Sequence, residues 1–155
     1  MKRALRLIAA ASVFGLASSS LLAHSDEVLD TQKAPNGGQL RMAGAYHFEL
    51  VVAKDSKEPK DNPVTVYVTD HAGAKISTVG AGGTATILAG KQKAGITLVP
   101  DGDNRLKGVG KYASTPDMKV VVAVTLAGKA TEQARFTPLA APLTTAKDEH
   151  TDHKH

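Results

Sequence analysis

The stretch Val64-Thr65-Val66-Tyr67-Val68-Thr69 decides the fold class of this chain. Its valines alternate with threonine and tyrosine, and nearly all of its side chains are β-branched, which is typical of a strand with one buried face. Residues 46–51 alternate in the same way, with Tyr46, Phe48 and Leu50 on one side. His47 and Glu49 are therefore predicted to share the opposite face of that strand.

Shorter apolar segments, separated by turn-forming residues, continue the pattern along the rest of the chain. They lie at residues 75–79, 84–88, 95–99, 105–109, 118–126 and 132–138. Outside the first 23 residues, no window of about 11 residues shows the stripe of an amphipathic helix. We therefore predict an all-β fold, a small antiparallel β-sandwich of immunoglobulin-like type with about seven to nine strands. A small closed barrel is the alternative, because periodicity does not separate the two.

The first 23 residues have the features of a secretory signal peptide. Lys2, Arg3 and Arg6 precede an apolar stretch at residues 7–16, and small and hydroxyl-bearing residues then lead to Ala23. The apolar stretch is shorter than the roughly 20 residues that a membrane-spanning helix needs. We predict cleavage near Ala23 and a periplasmic mature protein with no membrane span.

Removal of the signal peptide changes the charge balance. Three of the 19 basic residues leave with it, so 16 basic and 15 acidic residues remain and the net charge becomes +1. The remaining lysines are scattered, without a basic run that contains aromatic residues. The sequence therefore does not predict nucleic-acid binding.

The mature chain is predicted to contain one domain. Residues 24–33 are polar and acidic, which indicates a flexible leader, and the turn Pro35-Asn36-Gly37-Gly38 opens a β-sandwich domain over residues 34–141. Residues 142–155 form a polar, apolar-poor tail that is predicted to be disordered. Because the chain has no cysteine, disulfides and thiolate metal sites are excluded.

Histidines near both ends of the mature chain are candidate metal ligands. His150, His153 and His155 lie among carboxylates in the tail, and imidazole with carboxylate suits a divalent transition metal such as Cu²⁺, Zn²⁺ or Ni²⁺. His24 becomes the N-terminus if cleavage follows Ala23, and its amine and imidazole would then chelate Cu²⁺. The simpler interpretations are a solvated tail and an ordinary polar terminus.

His47 and Glu49 form the third candidate, half of a metal site to which His71 in a nearby turn could add a ligand. The simpler interpretation is the solvent-facing side of a half-exposed strand. Only Met42 and Met118 supply thioether sulfur in the mature chain, so a methionine-based Cu⁺ site is not expected. The chain also lacks a phosphate-binding glycine loop, a nucleophile elbow and a His-Glu-x-x-His helix, and is not predicted to be an enzyme.

Several strand and turn segments together resemble a known module. They are Pro35-Asn36-Gly37-Gly38, Tyr46–Leu50, Val66–Asp70, Gly102–Leu106 and Ala134–Phe136. They are similar to the N-terminal β-domain of the periplasmic adaptors of heavy-metal efflux pumps of the RND type, over residues 34–138. The chain is too short for the other modules of an adaptor, so the resemblance implies an accessory protein that assists such a pump.

The functional prediction is a periplasmic accessory protein of metal handling or metal resistance. It would bind a divalent transition metal, assist an efflux system, or do both, with a heavy-metal efflux complex or another envelope protein as its partner. The alternative is a non-catalytic structural or interaction module without a ligand, which docks on another envelope protein through a sheet edge or face.

Overall fold

The computed structural model describes residues 25–141, which form eight antiparallel strands and one short helix. The elements are α1 (Asp26–Asp30), β1 (Gln39–Ala43), β2 (Tyr46–Val52), β3 (Lys60–Thr69), β4 (Gly82–Ala89), β5 (Gln92–Pro100), β6 (Arg105–Tyr112), β7 (Lys119–Thr125) and β8 (Thr131–Phe136). The predicted all-β class with about eight strands is confirmed. The predicted signal peptide, His24 and the predicted tail lie outside the described residues. Within residues 25–141, no helix is long and apolar enough to span a membrane.

The strands form one sheet in the order β1-β2-β3-β6-β5-β4-β7-β8. β5 and β6 pair only at Val99–Lys107 and Pro100–Leu106, so the sheet bends there into two four-stranded halves. The two edge strands, β1 and β8, come into contact, and the Thr137 backbone N–H next to β8 donates to Gln39 Oε1 at 2.9 Å. The sheet is therefore nearly closed, between the predicted sandwich and the barrel alternative.

The core fills the space between the two halves with the inward side chains of every strand. Phe48 and Leu50 of β2, Val122 of β7 and Phe136 of β8 are all at most 2% exposed. Valine, leucine, isoleucine and alanine supply most of the rest, as the low aromatic content requires. Burial of these apolar side chains drives folding, because each one removes hydrocarbon surface from water.

The apolar pattern does not predict β1, and it places the start of β3 too late. In β1 the polar Gln39 and Arg41 pair with the core residues Leu50 and Phe48, so its polar and apolar positions do not indicate which face is buried. β3 starts at Lys60 and includes Pro63, which pairs only with β6 because pairing with β2 begins at Val64. Proline is tolerated at such an edge-like position, where its missing N–H breaks no inner ladder.

Two predicted segments differ from the structure. The apolar piece at residues 75–79 forms no strand beyond a single bridge between Thr69 and Lys75, and the buried Thr78 hydroxyl donates to the Arg105 carbonyl at 3.0 Å. The predicted flexible leader, residues 24–33, instead contains α1, whose Leu29 is 1% exposed. Five helical residues are too few to show a helical period, so sequence pattern could not reveal this helix.

Candidate functional site

The candidate site lies on the outer face of the neighbouring strands β1, β2 and β3. His47 and Glu49 are on this face, because Phe48 and Leu50 between and beyond them point into the core. The two side chains are only 7% and 3% exposed. The chain after α1 and the turn after β3 cover them, so the simpler interpretation of a solvent-facing strand is wrong.

Glu49 anchors the turn that opens the domain. One of its carboxylate oxygens, Oε1, accepts hydrogen bonds from the backbone N–H groups of Asn36 at 2.8 Å and Gly38 at 3.0 Å. The other, Oε2, accepts one from Asn36 Nδ2 at 2.8 Å. Gly38 has no room for a side chain, since a Cβ there would overlap the backbone of Leu50. The carboxylate therefore fixes residues 36–38 against β2 as one wall of the site.

The turn after β3 brings His71 to His47. Asp70 builds this turn, because its Oδ1 accepts hydrogen bonds from the N–H groups of Ala72 at 2.9 Å and Ala74 at 2.8 Å, an Asx-type arrangement. The imidazole of His71 then stacks on that of His47, with ring centroids 4.9 Å apart and an angle of 25° between the planes. Two imidazoles from distant parts of the sequence thus meet at one place.

A cavity of about 440 Å³ opens over these side chains. Its lining includes His47, Glu49, Tyr67, His71, Lys33 and Lys75. Tyr67 pairs with Glu49 on one side and with Arg105 on the other in the strand register. A hydrogen bond with Tyr67 raises the pKa of Arg105, and the nearby Asp101 carboxylate raises it further. The one carboxylate in the lining is therefore surrounded by cationic and neutral polar groups.

The structure brings two of the candidate side chains, His47 and His71, into contact. Among residues 25–141, no group of three or more histidine, cysteine, aspartate and glutamate side chains is placed to hold a metal ion. His47 and His71 come together, whereas the Glu49 oxygens are used by the turn at residues 36–38. Glu49 as a metal ligand stays a prediction, as do His24, His150, His153 and His155, which lie outside the described residues.

The strand register carries a signal for the histidine pair. His47 pairs with Thr69, two residues before His71, so a correct β2–β3 register places the turn histidine near His47. The link between Glu49 and Asn36 has no comparable local signal, because both residues must first be brought together by the fold. Comparisons of the chain with protein-family models, curated proteins and solved structures find no match.

Proposed function

We propose that this protein binds a transition-metal ion at the His47–His71 pair and acts as a metal-handling accessory protein of the periplasm. The observation that carries the proposal is the meeting of the two imidazoles beside a cavity of about 440 Å³. The rings are stacked with their centroids 4.9 Å apart, so the exposed His71 ring would turn out of the stack for both imidazoles to bind one ion. Imidazole is the commonest protein ligand of transition metals and suits copper, zinc and nickel. The metal is the cargo of this protein.

The site is suited to temporary rather than permanent metal binding. Structural zinc sites are closed by four protein ligands, whereas a site with fewer ligands leaves positions open to water or to a partner. His71 is exposed on its turn while His47 is buried beneath it, so an ion held by this pair is reachable from the cavity side. Such an arrangement is appropriate for a protein that passes a metal to an efflux complex.

Three further features of the chain support the proposal. The first 23 residues predict export, which would place the site in the compartment where efflux adaptors work. The resemblance of residues 34–138 to the adaptor module would connect the same chain with heavy-metal efflux. The histidine-containing tail would add weaker, flexible ligands to the supply of metal around the domain.

Calorimetric titration of the mature protein with Cu²⁺, Zn²⁺ and Ni²⁺ tests the proposal. We expect His71→Asn to remove one binding event, and a control on an exposed loop, Lys57→Asn, to retain it. His71 is exposed on a turn, so its replacement does not disturb the core. Because protons and metal compete for the same ring nitrogens, binding at this site should also weaken in acid.

The outcome that contradicts the proposal is equally specific. Identical titrations for the original protein and His71→Asn would exclude the His47–His71 pair as a metal site. If binding then disappeared on deletion of residues 142–155, the tail would be the binding segment instead.

A second function, docking on an acidic surface of another envelope protein, is favoured by a different face. The outward positions of β4, β5, β7 and β8 carry no aspartate or glutamate. Lys93 of β5 and Lys119 of β7 pair with Leu88 of β4 from its two sides, and Arg135 lies on β8 next to β7. These residues line a groove of about 540 Å³. Charge complementarity therefore favours an acidic protein segment as the occupant of this groove.

Binding of a glutamate-rich peptide, measured at low and high salt, tests this second function. Lys119→Glu with Arg135→Glu should abolish a salt-sensitive interaction, while Lys57→Glu on a distant exposed loop should retain it. Chelators should have no effect. Equal binding by all variants would exclude docking through this face.

A further inference from the structure

We propose that the cavity over β2 and β3 binds a small organic acid with two carboxylate groups, one held by Lys33 and the other by Lys75. This ligand is additional to the metal of the proposed function, and its binding does not require a bound metal. The placement of the two lysines, the hydrogen bonds that occupy Glu49 and the mixed polar and apolar floor of the cavity support the assignment.

The two lysines line the cavity from opposite sides. Thr69 of β3 pairs with β2 on one side and forms a bridge with Lys75 on the other, so Lys75 lies beyond β3 as seen from β2. Lys33 lies in the segment after α1, and Asn36 fastens that segment to Glu49 of β2. An ammonium group is therefore available at each of two sides of the cavity, which suits a ligand with a negative charge at both ends.

Glu49 does not prevent an anion from binding, although it is the one carboxylate among the described residues that line the cavity. Its two oxygens accept three hydrogen bonds from Asn36 and Gly38, and these donors partly offset its negative charge. Two lysines and one glutamate give the lining a formal charge of +1 when its histidines are neutral. A cleft lined by an excess of one charge attracts ligands of the opposite charge, so this cavity favours an anion.

The floor of the cavity combines hydroxyl groups with apolar surface. Tyr67 and Thr69 face outward from β3, because Val68 between them points into the core. Leu40 and Pro35 add apolar lining. Hydroxyl groups donate hydrogen bonds to carboxylates, and apolar side chains contact a hydrocarbon chain. The volume of about 440 Å³ lies within the range of about 300–1,000 Å³ typical of small-molecule sites, so the lining suits a short aliphatic acid.

Titration of the metal-free mature protein with succinate, followed by NMR of the backbone amides of the ¹⁵N-labelled chain, tests the proposal. The buffer is Tris chloride at low salt, because phosphate and carboxylate chelators would compete for the cavity. We expect saturable shifts of the amide signals of residues 32–36 and 71–75. Butyrate has the same number of carbon atoms but one carboxylate, and it should bind about fivefold more weakly, since an exposed ion pair contributes up to about 1 kcal/mol.

Substitution of the two lysines identifies them as the anion ligands. Lys33→Gln and Lys75→Gln should each lower the succinate affinity about fivefold for the same reason, and together about 25-fold, because the two lysines lie on separate walls. Both side chains are exposed, so their replacement does not disturb the core. Lys57→Gln on an exposed loop is the matched control and should bind succinate like the original protein.

Equal succinate affinity in the original protein and the two lysine variants would overturn the proposal, as would shifts confined to other residues. Inorganic phosphate that moved the same amide signals with the affinity of succinate would also overturn it, because the cavity would then recognise charge alone. None of these results decides the proposed metal function. The lysines are not among its ligands, and the metal titration of His71→Asn tests that function separately.

Discussion

Replacing Glu49 by alanine should destabilise the fold by about 3 kcal/mol, although this glutamate belongs to no salt bridge among the described residues. The change removes three hydrogen bonds, two from backbone N–H groups and one from the Asn36 amide. Each is worth about 1 kcal/mol net, and more where the acceptor is charged. Solvent screening offers little discount, because Glu49 is only 3% exposed.

The isosteric change Glu49→Gln should cost less, about 1 kcal/mol. Glutamine keeps a carbonyl oxygen in place of Oε1, which can still accept from the N–H groups of Asn36 and Gly38. Its new amide NH₂ replaces Oε2, and the Asn36 side chain can turn its own oxygen toward it. The difference between the two variants, about 2 kcal/mol, therefore measures the value of the bonds that glutamine retains.

Urea unfolding followed by circular dichroism measures these differences. Glu58→Gln on an exposed loop is the matched control and should stay within about 0.5 kcal/mol of the original protein. The dependence of unfolding free energy on urea should not change, because the same surface is exposed in every variant. A loss below about 0.5 kcal/mol for Glu49→Ala would refute the reasoning, as would equal losses for alanine and glutamine.

Three further predictions concern packing, pH and the helix. Gly108→Ala should destabilise the fold by about 1–3 kcal/mol, because the new Cβ would overlap the Thr97 backbone oxygen and the Ile96 side chain. The control Gly95→Ala places its Cβ within 4 Å of no other atom and should change stability little in the same urea assay. Burial raises the pKa of Tyr112 above its ordinary 10.0. The tyrosine therefore ionises first in the unfolded chain, so the stability contributed by the neutral phenol is fully present below about pH 10 and is lost as pH rises beyond it. Tyr112→Phe should flatten that decline in alkaline urea titrations, and an unchanged decline would contradict the assignment. Asp30→Ala removes two hydrogen bonds from the buried Arg41, at 2.6 and 3.2 Å. Because Asp30 itself is half exposed, the expected loss of folding stability is limited to about 1–2 kcal/mol. Hydrogen exchange should then show faster exchange in α1, and equal protection would contradict the role of this pair.

The fold class could be predicted because strand periodicity is a local property. The alternation at residues 46–51 and 64–69 records which side chains face the core, and β2 and β3 contain these segments. The edge strand β1 was missed for the opposite reason. Arg41 of β1 is buried and pairs with Asp30 of α1, so a polar side chain at this position does not indicate exposure to solvent.

The sequence by itself determined the all-β class, the sharing of one face by His47 and Glu49, and the chemistry available for a metal site, because these follow from residue type and a period of two. Only the tertiary structure decided which groups meet. The stacking of His71 on His47, the pairing of Met42 with His47 and the use of Glu49 by the turn at residues 36–38 all depend on strand register and loop path. The period of two does not record these contacts, because each joins different strands or turns, and the pairing of β1, β2 and β3 brings them together.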